Sequence, residues 1–369
     1  MGASALEPSG TMDTNDPGGT MKAIAAFGGL PCSDPGAFAL VELPDPQAGP
    51  HDLLVRVEAV AVNPVDTKVR AGLPGPGSGA APRLLGWDCA GVVEACGAAV
   101  TRFTPGDRVW FAGDITRPGC NAERVLVEEP ICSRRPANLG AAEAAALPLT
   151  GLTAWEALFE RLGLDPEGAD GGRSLLILGG AGGVGSIAIQ LARRAGLVVI
   201  ATASRPESRA WCEQMGASHV VDHSQPLPPQ LAALGHPEVD AIANFSDTDA
   251  YWPVMAQLIR PQGAIVAIVG NRSPLDLNLL KTKSVSFHWE FMFTRPQFRT
   301  PDRGEQGAIL ERLAALVEAG EMRSTATTRL APISPATLAR AHGLLEGGRT
   351  LGKIVLEGWE GSAALAAGS

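Results

Sequence analysis

Aromatic side chains are scarce in this sequence, at 5% of residues with a single tyrosine, Tyr251. The six cysteines, Cys32, Cys89, Cys96, Cys120, Cys132 and Cys212, form no C-x-x-C pair, so neither a zinc ribbon nor a disulfide framework is indicated. No stretch approaches the ~18 consecutive apolar residues of a membrane-spanning helix. Positive charge is also in deficit. Thirty Lys and Arg face 39 Asp and Glu, a formal net charge of −9, which argues against a role built on phosphate attraction to nucleic acid. The opening segment MGASALEPSGTMDTNDPGGT has no basic residue and no apolar run, so residues 1–20 read as a disordered tail and not as a leader or anchor. The expected setting is the reducing cytoplasm, without membrane contact.

Small and turn-forming residues are abundant, with 44 Gly and 29 Pro, and 45% of the chain is hydrophobic. At ~100–200 residues per domain, 369 residues suggest two domains, each able to bury a core. From Met21 the pattern is short strands between turn signals. In LLVRVEAVAV, Val55, Val57 and Ala59 alternate with Arg56 and Glu58, the period of two that buries one face of a strand. Thr104-Pro105-Gly106-Asp107 suits a type II turn, and AGLPGPGSGAAP (71–82) reads as a mobile loop. In AAEAAALPLTGLTAWEALFERLG the helical composition is interrupted at Pro148 and Gly151. Beyond Thr150 strands and helices alternate, which predicts a doubly wound parallel sheet. Two amphipathic helices, ILERLAALVEAG and SPATLARAHGLLEGG, and the strand GKIVLE close the chain.

Gly180-Ala181-Gly182-Gly183-Val184-Gly185 follows one of these strands and opens a helix. The G-x-G-x-x-G spacing lets backbone approach a pyrophosphate, whose charge is met by free N–H groups at the helix N-terminus. An Asp or Glu at the end of the second strand would hold a ribose 2′-hydroxyl. Here Ser204 and Arg205 stand instead, a hydroxyl and a guanidinium suited to a 2′-phosphate, so the expected cofactor is NADP(H). The alternative for Arg205 is a solvated ion pair with Glu207.

AVNPVDTKVRAG (61–72), LLGWDCAGVVEACGAAVTRFTPGDRVWF (84–111) and LTGLTAWEAL (149–158) together resemble the quinone-oxidoreductase-like branch of the medium-chain dehydrogenase/reductase superfamily. WEFMFTR (289–295) and LGKIVLEG (351–358) resemble its group labelled zinc-type alcohol dehydrogenase-like proteins. The resemblance implies an α/β protein with a mostly-β, GroES-like catalytic domain over 21–149, a Rossmann domain over 150–298, a return to the catalytic domain over 299–360, and a tail over 361–369. It implies cofactor contacts from Asn63, Thr150, His223 and Asn244 besides the fingerprint, with Asn63 beside nicotinamide and acceptor. Asn63 could equally form an Asx turn capping the helix that starts near Pro64. Lys68 is a candidate proton or hydrogen-bond donor, or else a surface charge. Phe111 stands where close relatives carry a Tyr, and the loops 71–82 and 111–121 are expected to shape the pocket.

In zinc-dependent members a Cys takes the place of Asn63, a His-Glu pair that of Trp87-Asp88, and a third ligand precedes Thr150-Gly151. None of those thiolate or imidazole ligands is present, so no catalytic metal is expected. His219 and His223 read as surface or cofactor-contact residues. The implied activity is zinc-independent, NADPH-dependent hydride transfer to a quinone or an α,β-unsaturated carbonyl. A zinc alcohol dehydrogenase and a non-catalytic NADPH-binding protein are the alternatives. The strand 284–293, SVSFHWEFMF, is expected to form the edge through which two copies pair.

Overall fold

The computed structural model describes residues 19–75 and 83–359. The tails and most of the loop expected over 71–82 lie outside the described residues. Among the described residues three sheets form, and the one drawn from the most distant segments holds the first half together. Its backbone is the strand Asp52–Ala61, whose residues alternate between buried and half-buried as the sequence predicts. On one side it pairs antiparallel with Cys89–Cys96. On the other it pairs with Arg124–Glu128 at its start and with Lys353–Glu357 at its end. Arg108–Phe111, Ser133–Arg134 and Ala326–Leu330 complete this sheet. A smaller sheet, in the order Phe38–Pro44, Thr20–Ala26, Arg83–Leu84, packs beside it. Gly106 adopts φ +97° and Asp107 N–H donates to the Thr104 carbonyl, the expected type II turn.

The helical segment after Ala141 breaks once and not twice. Ala141–Ala145 ends before Pro148, whose ring opens the helix Pro148–Trp155. Gly151 lies inside that helix, because a Cβ there would stand 2.6 Å from Leu313 Cδ1 of the helix Glu305–Glu318. The glycine serves close helix packing and does not end the helix. A π-turn, Glu156–Arg161, follows.

The third sheet is parallel, in the order His219–Val221, Val198–Thr202, Ser174–Leu178, Val239–Asn244, Ile259–Ala267, Ser286–Trp289. Helices cover both faces, so Ser174–Leu178 is buried at every position, which explains why SLLIL is a continuous apolar run and does not alternate. Order reverses between Ser174–Leu178 and Val239–Asn244, and ligands of such sheets bind at that switch point beyond the strand ends. The edge strand is shorter than expected, ending at Trp289. Burial of Glu290 and a turn through Phe293 break the alternation there, so Phe291 does not continue the face shared by Phe287 and Trp289, whose rings meet edge to face at 5.0 Å. Among the described residues no helix is long and apolar enough to cross a membrane.

Candidate active site

A cavity of about 620 Å³ opens where the parallel sheet meets the antiparallel one. One wall is the glycine turn: Gly179, Gly182, Gly183, Val184 and Gly185 line it. Gly185 lets the helix Gly183–Arg194 lie against the strand before it, since a Cβ there would stand 2.3 Å from the Gly179 carbonyl oxygen. Gly180 faces away, toward Ala201 and Cys212. The helix is twelve residues long and its first three residues, Gly183, Val184 and Gly185, line the cavity. A cradle of bare backbone at a helix N-terminus is the surface a dinucleotide pyrophosphate requires.

The opposite wall is built by three distant segments. Asn63 lies two residues past the strand Asp52–Ala61 and directly precedes the helix Pro64–Ala71. Asp88 precedes Cys89–Cys96, and Lys353 opens the last strand, which brings it beside Val62 because Val355 pairs with Ala61. All three are buried. The Lys353 ammonium donates to the Val62 carbonyl at 2.9 Å, to Asp88 Oδ2 at 2.8 Å, and to Asn63 Oδ1. Asn63 Nδ2 donates to the same Asp88 Oδ2 at 2.8 Å, while Asp88 Oδ1 accepts from Leu149 N at 2.8 Å. The Asn63 side chain therefore does not cap its helix. Asp66 takes that part, with Oδ2 accepting from Asn63 N at 2.6 Å and Oδ1 from Gly86 N at 3.1 Å. Burial raises the Asp66 carboxyl to about 7 in spite of those two donors. Burial raises Asp88 as well, opposed chiefly by the Lys353 charge.

The cavity floor is formed in part by residues 290–293, and from Glu290 a second buried polar group extends away from it. Glu290 Oε2 accepts from Arg161 Nε at 3.0 Å, and Arg295 bridges Glu156 at 2.9 Å, Glu160 at 2.9 Å and Asp302 at 3.0 Å. Burial, and then the neighbouring Glu156 carboxylate, push the Glu290 carboxyl up to about 9.

Of the residues expected at the site, Asn63, Lys68, Thr150, Gly182, Gly183, Val184 and Gly185 line the cavity. Lys68 is exposed there. Thr150 Oγ1 donates back to the Ala146 carbonyl at 3.2 Å. Ala181 stands behind the turn, its carbonyl accepting from Gly352 N at 2.9 Å. Ser204 and Arg205 follow the strand Val198–Thr202, and His223 is exposed on the turn after His219–Val221, all outside the lining. Arg205 pairs with Glu207 at 3.4 Å and donates to the Arg349 carbonyl at 3.0 Å. Asn244 is withdrawn from the cavity. It is fully buried, and its amide is used within the turn, accepting from Ser246 N at 3.0 Å and donating to Thr248 Oγ1 at 3.2 Å. Phe111 is likewise a core residue, and no residue of 111–121 is in the lining. The residue missed by sequence reasoning is Lys353. Its signal was one cation in the apolar strand KIVLE, where a surface position is the ordinary reading.

Comparison with known proteins agrees with this architecture. A model of the alcohol dehydrogenase GroES-like domain matches residues 49–150, and one of the zinc-binding dehydrogenase matches residues 183–301. A zinc-type alcohol dehydrogenase-like protein of Staphylococcus aureus (strain MSSA476) is 45% identical over 320 residues, covering 86% of this chain and 94% of its own. A quinone oxidoreductase of Pseudomonas aeruginosa is 32% identical over 344 residues, 90% of this chain and 98% of its own. The chain belongs to the medium-chain dehydrogenase/reductase superfamily, in its quinone-oxidoreductase-like branch. Its two parts are the GroES-like domain and the Rossmann domain of that superfamily, and the protein is an oxidoreductase of that family. A Rhizobium etli structure named for zinc-dependent alcohol dehydrogenases superimposes with a TM-score of 0.87 at 48% identity, over 93% of this chain and 99% of its own.

The zinc in these names can be tested against the residues of this medium-chain dehydrogenase/reductase. Zinc takes about four N, S or O ligands at ~2.0–2.3 Å. Here an amide and a single carboxylate already surround an ammonium, which would repel a dication. Among the described residues no group of three or more His, Cys, Asp or Glu side chains converges to hold a metal. Cys89 and Cys120 are buried, and burial pushes the Cys89 thiol well above its ordinary value, away from the thiolate a metal needs. The residues present do not fit zinc.

Proposed function

We propose that this oxidoreductase is an NADPH-dependent, zinc-independent reductase that passes hydride to the conjugated carbonyl of a quinone or enone. The observation that carries the reading is the wall facing the glycine turn: an amide clamped between an ammonium and a carboxylate, on a cavity large enough for nicotinamide and a second small molecule. Such a wall can hydrogen-bond a carbonyl oxygen, and its ammonium makes it a poor seat for a Lewis-acidic dication. A conjugated acceptor spreads the incoming charge onto its own oxygen, so orientation and a hydrogen bond suffice. The nicotinamide cofactor, when bound, supplies the hydride. Gly182, Gly183 and Gly185 would hold its pyrophosphate and Thr150 its nicotinamide end. Ser204 and Arg205, with His223 on the next strand's turn, would meet a 2′-phosphate. The Pseudomonas relative's name supports the quinone arm of this reading.

The exposed edge of the strand Ser286–Trp289, with Trp289 and Phe291 both close to half exposed, is the surface through which two copies would pair. The test of function is NADPH oxidation with a panel of naphthoquinones and enones, set beside NADP⁺ reduction with simple alcohols. Turnover of the conjugated acceptors is expected. Turnover of alcohols alone, by protein carrying stoichiometric zinc, would overturn the reading.

A further inference from the structure

The partners of the Asn63 side chain settle which of its atoms is left for a ligand. Its oxygen accepts from the Lys353 ammonium, and one of its two N–H bonds points to Asp88 Oδ2. Turning the amide over would set NH₂ against an ammonium and oxygen against a carboxylate, two like-polarity contacts among buried groups. The orientation is therefore dictated by the two charges. What remains is one N–H, on a residue that forms part of the cavity wall. Lys353 has no proton to offer a ligand, since its three are directed to Val62, Asn63 and Asp88. Its stem lies against the fingerprint, with Cδ 2.9 Å from the place of a Cβ on Gly183. Asp88 and Asp66 are turned into the protein, onto Leu149 N and onto Asn63 N and Gly86 N.

We propose that Lys353 and Asp88 are positioning residues that lock the Asn63 amide as a donor, so that it presents a polarised N–H, and never its oxygen, to the carbonyl oxygen of the bound acceptor. The proposal rests on the functional reading above and deepens it. An ammonium on the amide oxygen draws electron density from the nitrogen, and the remaining N–H becomes a stronger donor to an oxygen gaining negative charge. Neither Asn63 nor the carboxylates of Asp66 and Asp88 offers the cavity a free base.

Lys353→Met alone leaves Asp88 buried and unpaired and is liable to misfold, so the test uses Lys353→Met with Asp88→Asn, in which both charges go together. Lys353→Arg and Asn63→Asp complete the set. In protein labelled with ¹⁵N-asparagine, the Asn63 side-chain amide protons are expected downfield in the wild type and displaced upfield in the double variant. With a naphthoquinone, kcat of the folded double variant is expected to fall about ten- to hundred-fold, as for loss of a developing-charge donor, while NADPH affinity holds. Asn63→Asp is expected to lose as much, and Lys353→Arg to keep a large share. Unmoved amide resonances, or an unchanged kcat in a folded double variant, would overturn the proposal. If the wild type reduces no quinone or enone, the functional reading falls, and the resonances alone decide whether the two charges polarise this amide.

Discussion

Gly352 N–H donates to the Ala181 carbonyl at 2.9 Å, and Gly352 pairs in a bridge with Gly182. The residue before Lys353 is thus stitched to the fingerprint turn, and the two walls of the cavity are held at a fixed separation by backbone. Gly352 has φ +52°, and a Cβ there would stand 2.3 Å from the Thr325 carbonyl oxygen. Gly352→Ala is expected to cost about 1–3 kcal/mol of stability through strain and to weaken dinucleotide binding. Thermal unfolding and a fluorescence titration with NADPH check both. A variant as stable as the wild type with unchanged affinity would show that this stitch is dispensable.

Arg205 carries the prediction on cofactor choice. Its guanidinium is half exposed beside Glu207, a pairing weak enough in solvent for a phosphate to displace. Arg205→Asp should lower NADPH affinity by about ten- to hundred-fold, the equivalent of ~1.5–3 kcal/mol for charge-assisted hydrogen bonds, and leave NADH affinity nearly unaltered. Wild-type protein that used both cofactors equally would sink the assignment.

Glu290 supplies a pH dependence whose sign is fixed. Its carboxyl is raised to about 9 in the folded protein, so between about pH 4.5 and 9 the native state holds a proton that the unfolded chain has released. This contribution to stability is full below pH 4.5 and is lost progressively up to about pH 9. Glu290→Gln keeps the shape and removes the titration. The melting temperature of the variant relative to wild type should rise steadily from pH 5 to pH 9. A difference that stays flat across that range would mean that Glu290 is ionised throughout.

Zinc is expected to be well below one atom per chain by elemental analysis, and chelators are expected to leave both activity and melting temperature unchanged. The reason is the ammonium of Lys353 at 2.8 Å from Asp88. A stoichiometric ion that survives dialysis would contradict the donor set.

Trp289 tests assembly. It is exposed on the terminal strand of the parallel sheet, so Trp289→Lys should leave the fold intact and shift a wild-type dimer toward monomer in light scattering at micromolar concentration. A monomeric wild type would remove the edge-pairing proposal.

The features readable from the amino-acid order alone are those written in neighbouring residues. The parallel sheet was legible in short apolar runs alternating with amphipathic helices, and the glycine turn in six consecutive residues. The antiparallel strand around Val55 was legible in its period of two. Asn63 could be placed near the cavity because a motif carried it, but its own neighbourhood allowed a helix cap equally well. The choice between these is made by the folded chain. It brings Lys353 to Asn63 across 290 positions of chain and to Asp88 across 265, and a contact of that span leaves no periodicity to read. The edge strand shows the same limit. SVSFHWEFMF alternates as far as Phe291, but the strand ends at Trp289 because Glu290 is held at the cavity floor by Arg161. Local sequence sets which conformations are cheap. Where a buried charge finds its partner is fixed only when distant strands close the sheet around it.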